Sequence, residues 1–336
     1  MPSINVVIPC YNADRFLAQC IRSVLSQGID DLRIVVIDNA STDDSVEVAR
    51  RLAAQDSRVE VVCHARNVGP IASFNEGVEL ARGDYFILLC ADDLLTDGSL
   101  QRAVDVLESN PGAAFAIGSD LSMIEGKDFA EPSQPDGWRV TAGARFIEDC
   151  CRHLGHLGVS LALGAVLVRM TAQKAVGHYR ASLAHAPDLE MVLRLARLGS
   201  IVEFEGALGI RRVHAAQITV VHFSDKLTQL KEREAVFASF FSCEGAAMPA
   251  ASGLRRMAMR RVADAAYWSA VSHIVRGRTA CGVELLRYSF SLSPILRLFP
   301  PLGHLYRTKG AVRRALAVIS GRSGSSTRQV EHADTA

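Results

Sequence analysis

At 336 residues and 36.3 kDa the chain has room for one large α/β domain with an appendage, or for two modest domains. Its 49% hydrophobic and 22% charged residues exclude a disordered, collagen-like or disulfide-scaffold protein. The formal net charge of +1 hides an asymmetry: residues 225–336 carry 17 Lys and Arg against 8 Asp and Glu, a balance of +9 that leaves −8 for residues 1–224, as expected of a basic appendage facing an anionic surface.

The chain opens on a strand-like run, Ile4-Asn5-Val6-Val7-Ile8, with no basic start, apolar stretch and cleavage site, so no signal peptide is expected. Further strands are predicted at residues 33–37, 59–63, 85–89 and 113–117, alternating with amphipathic helical patterns as in a parallel sheet flanked by helices. Between the first two, Phe16, Leu17, Cys20, Ile21, Val24 and Leu25 recur at helical spacing, and Gly28 suits the C-cap. The second helix is predicted from Ser41-Thr42-Asp43-Asp44, where Ser41 and Asp44 have capping-box spacing. Residues 119–142, rich in Gly, Pro, Asp and Ser with a single Trp and no period, read as a long loop or lid. Beyond them residues 145–156 read as helix, 163–168 as strand, 189–198 as helix and 201–212 as an extended pair.

After about residue 224 the strand pattern ends, and Leu254, Met257, Ala258, Arg261 and Val262, then Ala311, Val312, Ala315, Leu316 and Ile319, mark amphipathic helices. The polar residues 320–336 are expected to be disordered. No run reaches the ~18 apolar residues that cross a bilayer. The eight cysteines form no C-x-x-C pair and several sit in apolar runs, which fits reduced thiols in the cytoplasm. Cys150-Cys151-Arg152-His153 with His156 matches no zinc spacing and reads as a helical core face.

Ligands of open α/β sheets bind at the C-terminal ends of the strands. Four polar clusters occupy those ends: Pro9-Cys10-Tyr11-Asn12, Asp38-Asn39-Ala40-Ser41-Thr42-Asp43, Asn67-Val68-Gly69-Pro70 and Cys90-Ala91-Asp92-Asp93. Neither G-x-G-x-x-G nor a P-loop follows the first strand, which excludes the usual dinucleotide and P-loop enzymes. Asp92-Asp93 could hold a hard divalent cation that grips phosphate oxygens, or could serve only as helix-start caps. Asp38, at a neighbouring strand end, is suited to accept hydrogen bonds from a base or ribose.

In order and spacing, Val6-Val7-Ile8-Pro9-Cys10-Tyr11-Asn12, Val35-Val36-Ile37-Asp38-Asn39-Ala40-Ser41-Thr42-Asp43, Asn67-Val68-Gly69, Asn75-Glu76-Gly77 and Ala81-Arg82-Gly83-Asp84-Tyr85 resemble the family 2 inverting glycosyltransferases of the GT-A fold, over about residues 3–222. The resemblance implies a GT-A catalytic domain over residues 1–222, a Rossmann-like, mostly parallel sheet flanked by helices, followed by a basic helical extension over 223–320 and a tail over 321–336. It also implies donor contacts from Pro9, Tyr11, Asn12, Asp38 and Asn67, a ribose or sugar contact from Asp92, and Mn²⁺ or Mg²⁺ on Asp93. Many relatives carry Asp where this chain has Cys90; a soft thiol does not replace a carboxylate for either ion, and packing is the expected role of Cys90.

Asp188, in Ala186-Pro187-Asp188-Leu189-Glu190, matches the family's catalytic base, with Glu190 as the alternative base or an acceptor contact; a helix cap is compatible with either. Arg212-Val213-His214-Ala215-Ala216-Gln217-Ile218-Thr219 resembles the family's R-x-H-x-x-Q-x-[ST] segment, implying that His214 completes the metal shell or binds diphosphate and Arg212 faces the leaving group. Trp138 could stack on an acceptor sugar or pack back onto the domain.

The implied reaction moves a sugar from a nucleotide-diphosphate donor, UDP or dTDP, to a hydroxyl of a glycan or lipid-linked acceptor in polysaccharide synthesis, at the cytoplasmic face of the membrane. The alternatives are a catalytically silent nucleotide-sugar binder and a sugar nucleotidylyltransferase. Arg255-Arg256, Arg260-Arg261 and Arg313-Arg314 fit either a helix lying on anionic headgroups or solvated arginines of a helical bundle. Residues 289–301 add an apolar segment too short to span. Nucleic-acid binding is not expected, and oligomeric state is not legible.

Overall fold

In the computed structural model, residues 2–133, 135, 137–155, 163–183, 186–214 and 225–307 are described. They divide into two compact units, Met1–Cys150 with Gly155–Gln217, and Cys151–Leu154 with Ile218–Ala336.

The first unit is built on β1 (Ile4–Cys10), β2 (Leu32–Asp38), β3 (Val59–Cys63) and β4 (Tyr85–Leu88), which run parallel in the order β3-β2-β1-β4. Val6, Val7 and Ile8 are all fully buried. Consecutive buried residues mean that both faces of β1 are covered, which is why its sequence is a continuous apolar run. Helices α1 (Asp14–Leu25), α2 (Ser45–Gln55) and α3 (Pro70–Leu80) supply the cover. α1 buries Leu17, Cys20, Ile21 and Val24 and is followed by Gly28 at φ 70°. α3 lies so close to β1 that a Cβ on Gly77 would come 2.4 Å from Val7 Cγ1.

The second half adds β5 (Leu94–Leu95), α4 (Ser99–Glu108), β6 (Ala113–Ile124), β7 (Trp138–Thr141), α5 (Gly143–His153), β8 (Val166–Arg169), α6 (Met170–Val176), α7 (Pro187–Ala196) and β9 (Ser200–Val213). The sheet continues β4-β8-β6-β9-β5, with β7 on β9 off this path. β8 is antiparallel to both β4 and β6, β6 and β9 are parallel, and β5 pairs antiparallel with β9.

Four expectations change here. Residues 119–142 are not one loop: β6 runs on to Ile124 against β9, and β7 occupies Trp138–Thr141. Residues 201–212 are not a pair of strands but part of one strand, β9, whose partners come from elsewhere in the chain. Residues 163–165 form a turn of 3₁₀ helix before β8. The capping box does not form: α2 begins at Ser45 without a side-chain cap, and Ser41 Oγ accepts from Asn12 N instead.

The second unit contains α8 (Lys226–Ser242), α9 (Ala251–Val275), α10 (Thr279–Leu292) and α11 (Leu302–Arg307). Asp225 caps α8 by accepting from Leu227 N and Thr228 N. α9 buries Ala258, Val262, Ala266 and Ala270, every fourth residue, so small side chains line its contact with α10. There a Cβ on Gly282 would meet Ile274 Cγ1 at 2.4 Å. Arg260 and Arg261 both reach the buried Asp264, and Arg260 also donates to Ser293 Oγ at 2.7 Å, so this basic pair is used inside the unit. Arg255 and Arg256 are exposed. Arg313-Arg314, the helix expected at 311–319, the tail and His156 lie outside the described residues. No helix among the described residues is long and apolar enough to cross a membrane.

Candidate active site

Parallel pairing brings the ends of β1 and β2 level, Cys10 opposite Asp38, so the loops that follow them meet. Asn12 and Ala40 both take left-handed backbone angles, φ 51° and 59°. A non-glycine residue enters that region at a penalty of roughly 1 kcal/mol, so the neighbourhood must hold it there. It does so by stitching one loop to the other. Asn12 Oδ1 accepts from Thr42 N at 2.8 Å, Ser41 Oγ from Asn12 N at 2.9 Å, Ser45 Oγ from Ala13 N at 2.9 Å, and Asp43 Oδ2 from Asp14 N at 3.1 Å. Burial works to raise the Asp43 pKa, but hydrogen bonds from Ser45 and Asp14 outweigh it and leave the carboxylate below its ordinary value.

Asp38 sits beneath this lattice, 1% exposed. Its Oδ2 accepts from Ser41 N at 3.0 Å, whereas Oδ1 is buried without a hydrogen-bond partner. A buried acceptor of this kind is costly unless a ligand donates to it. Asn67 is used within the protein: its Oδ1 accepts from Asn39 Nδ2 at 3.0 Å and from Gly69 N at 2.9 Å. Asn39 Oδ1 in turn faces Val68 N at 2.9 Å and His64 Nδ1 at 3.0 Å, with Glu76 Oε2 2.5 Å from His64 Nε2. Pro9 is half-buried at the end of β1, and Tyr11 is exposed.

The other edge of the site is acidic. β5 pairs Leu94 with Ile210, which sets the preceding Asp92-Asp93 beside Arg212 and His214. Asp93 Oδ1 accepts from Arg212 N at 2.9 Å, and Asp92 Oδ2 lies 3.1 Å from His214 Nε2. One ligand atom from each of Cys90, Asp92 and Asp93 can be chosen so that all three lie within 4.8 Å of one another. Burial and the adjacent Asp92 charge hold the Asp93 carboxyl well above the usual carboxylate range, against the Arg212 N–H and the Arg211 charge. Burial likewise pushes the Cys90 thiol well up, and the charges of Asp93, Asp92 and Asp188 act in the same direction. The thiol is therefore neutral, while the two carboxyl groups offer hard oxygen donors suited to a divalent cation, whose charge would favour the ionised form of Asp93.

Arg212 reaches this edge as a braced cation. Its Nε donates to Asp92 O at 2.9 Å and its Nη2 to Gln19 Oε1 at 2.7 Å, with the guanidinium 4.9 Å from the Phe16 ring. The same ring lies 4.7 Å from that of His214. Phe16 and Gln19 thus position two site residues, although in the sequence Phe16 reads only as part of the apolar face of α1 and Gln19 as a polar residue beside it.

Asp188 lies in the first turn of α7, its Oδ1 accepting from its neighbour Leu189 N at 2.8 Å, and its charge acts on Tyr179 as well as on Cys90. Glu190 has the opposite fate. It is fully buried, paired with Arg180 at 2.7 Å and Arg194 at 2.8 Å, so an acceptor contact there would have to displace an arginine. Trp138 is exposed, but on β7 opposite Phe204 rather than on a lid, near the end of β9 remote from Arg212. Cys150 and Cys151 are buried on or beside the core, as expected.

Residues 5–156 match the family model "Glycosyl transferase family 2". The chain is 32% identical over 127 residues to the GalNAc(5)-diNAcBac-PP-undecaprenol beta-1,3-glucosyltransferase of Campylobacter jejuni, covering 38% of this chain and 40% of that one. It spans 20% to 44% of the length of several curated relatives. Among solved structures, S. aureus TarS 1-349 in complex with UDP-GlcNAc matches with a TM-score of 0.57 at 12% identity, over 88% of this chain and 91% of that one. Mannosyltransferase PcManGT from Pyrobaculum calidifontis, in complex with GDP-Man and Mn2+, matches with a TM-score of 0.54 at 15% identity, over 88% and 87%. With the strand-end loops arranged as described, the chain has the GT-A fold, and its residues 5–156 are similar to glycosyl transferase family 2.

Proposed function

We propose that the protein is an inverting glycosyltransferase that moves a sugar from a nucleoside-diphosphate donor to a hydroxyl of a glycan or lipid-linked acceptor. The observation that carries this reading is the pairing of a buried, half-satisfied Asp38 at one strand end with the Asp92-Asp93 pair, braced by Arg212 and His214, at another. Asp38 Oδ1 accepts from the base or ribose, Tyr11 and Pro9 border the base, and Asn12 and Asn67 keep the donor loops in shape. Asp92 and Asp93 would hold a divalent cation, Mn²⁺ or Mg²⁺, which when bound neutralises charge on the diphosphate. His214 and Arg212 orient that edge and add positive charge for the leaving group.

Asp188 takes the proton of the attacking hydroxyl, and attack opposite the leaving nucleotide in one displacement inverts the anomeric carbon. The TarS complex favours UDP as the nucleotide, and the Campylobacter relative favours a lipid-linked acceptor and hence a reaction at a membrane surface, in polysaccharide synthesis. Cys90 in place of a carboxylate supports a second reading, a nucleotide-sugar binder without turnover. The test is nucleoside-diphosphate release from a donor panel with Mn²⁺ or Mg²⁺ and an acceptor panel. Acceptor-dependent release, abolished in Asp188→Asn, is expected; donor binding with no turnover on any acceptor would establish the second reading instead.

A further inference from the structure

We propose that the loop joining α10 to α11 is a bilayer-inserting wedge that docks the second unit on an anionic lipid surface. Ile295, Leu298, Phe299 and Leu302 are 47%, 73%, 65% and 60% exposed within one short stretch. Scattered exposed apolar residues are ordinary, but four large ones in a continuous segment mark an interaction surface. The stretch is also held in shape. Leu296 is buried beneath it, Arg297 lies 5.7 Å from the Phe290 ring, and Trp268 Nε1 donates to Pro301 O at 3.0 Å. Pro294, Pro300 and Pro301 restrict the backbone, so little conformational freedom remains to be lost on docking.

Charge selects the occupant. From residue 285 to residue 330 the sequence contains no Asp or Glu and eight Lys or Arg. A second copy of the chain would bring the same sign of charge to the contact, which opposes self-association. An anionic bilayer offers apolar depth for the four side chains and negative headgroups for the exposed Arg287 and Arg297 and for the basic sequence that follows. This site shares no residue with the loops proposed to bind the donor and does not depend on the reaction proposed for them.

The test uses the full chain with vesicles of phosphatidylcholine alone or mixed with phosphatidylglycerol. Flotation is expected only with phosphatidylglycerol, weakening as salt rises. Leu298→Ser/Phe299→Ser, both on exposed positions, should keep the thermal transition and transfer to a soluble acceptor yet partition at least about tenfold more weakly. In a Trp138→Phe background, Trp268 reports on the loop from beneath, and its emission should shift to the blue on adding phosphatidylglycerol vesicles. Equal flotation of wild type and the double variant, binding indifferent to lipid charge, or a change of oligomeric state in the double variant without loss of flotation would each overturn the proposal. Absence of transfer activity in the wild type, with flotation as expected, would instead count against the reading of the active site alone.

Discussion

The two edges of the site solve opposite problems. On the β1–β2 edge the polar side chains are knitted together: Asn12 bonds Ser41 and Thr42, Asp43 bonds Ser45, and the buried Asp38 Oδ1 is left without a partner. On the β4–β9 edge two carboxylates share one pocket, and burial with the Asp92 charge holds Asp93 well above its ordinary range. The first edge is a preformed mould, stable without a ligand and shaped to receive one. The second stores electrostatic cost that a cation and a diphosphate would relieve. Shape and charge are thus supplied by different strands, which allows each to be altered separately.

The largest effect expected comes from Asp188, whose charge acts on Cys90 beside the acidic edge. Asp188→Asn should lower kcat by about 10²- to 10⁴-fold on a proven donor and acceptor while leaving the donor KM within a few-fold. Steady-state kinetics would show it, and a matched rise in KM would move Asp188 to the binding edge. Two residues away, Glu190→Gln should leave catalysis by the folded protein intact but remove about 3 kcal/mol or more of stability, because Arg180 and Arg194 lose their buried counter-charge. Urea unfolding measures this, and an acceptor KM effect without instability would place Glu190 in the site after all.

On the moulded edge the expected effects are smaller. Asp38→Asn should weaken nucleotide binding by roughly tenfold, the worth of a hydrogen bond to a charged acceptor, with little change in unfolding midpoint. Calorimetric titration with UDP is the measurement. The smallest effect is pH-dependent. The pKa of Asp43 is lowered by folding from 3.8, so its contribution to stability is complete above that value and is lost as pH falls through the lower folded one. Unfolding midpoints from neutral to strongly acid pH should therefore flatten in Asp43→Asn compared with wild type.

The parallel half of the sheet is legible in the sequence because β1, β2 and β4 are buried on both faces and read as unbroken apolar runs. Asp38 and Asp92-Asp93 are legible for the same reason, as the polar residues at which those runs stop. β6 beyond Ile117 is not, since Ser119, Asp120 and Ser122 have no strand pattern of their own and are kept extended by β9. Nor is the division of labour between Asp188 and Glu190. Two acidic residues in one helical turn look alike until tertiary packing brings Arg180 and Arg194 to one of them. Phe16 escapes because an aromatic residue at helical spacing reads as core, and only the fold brings His214 and Arg212 onto its ring.

The two-residue strand β5 has a consequence for the order in which the protein assembles. Through it, the hydrogen bond from Arg212 to Asp93 joins positions 119 residues apart, whereas β1 and β2 need only α1 between them to meet. Contacts that close such long loops form late and open early. The β1–β2 mould can therefore be complete while the acidic edge is still open. Amide exchange should find Arg212 less protected than Val36, making the last part of the site to form the part on which the proposed chemistry depends.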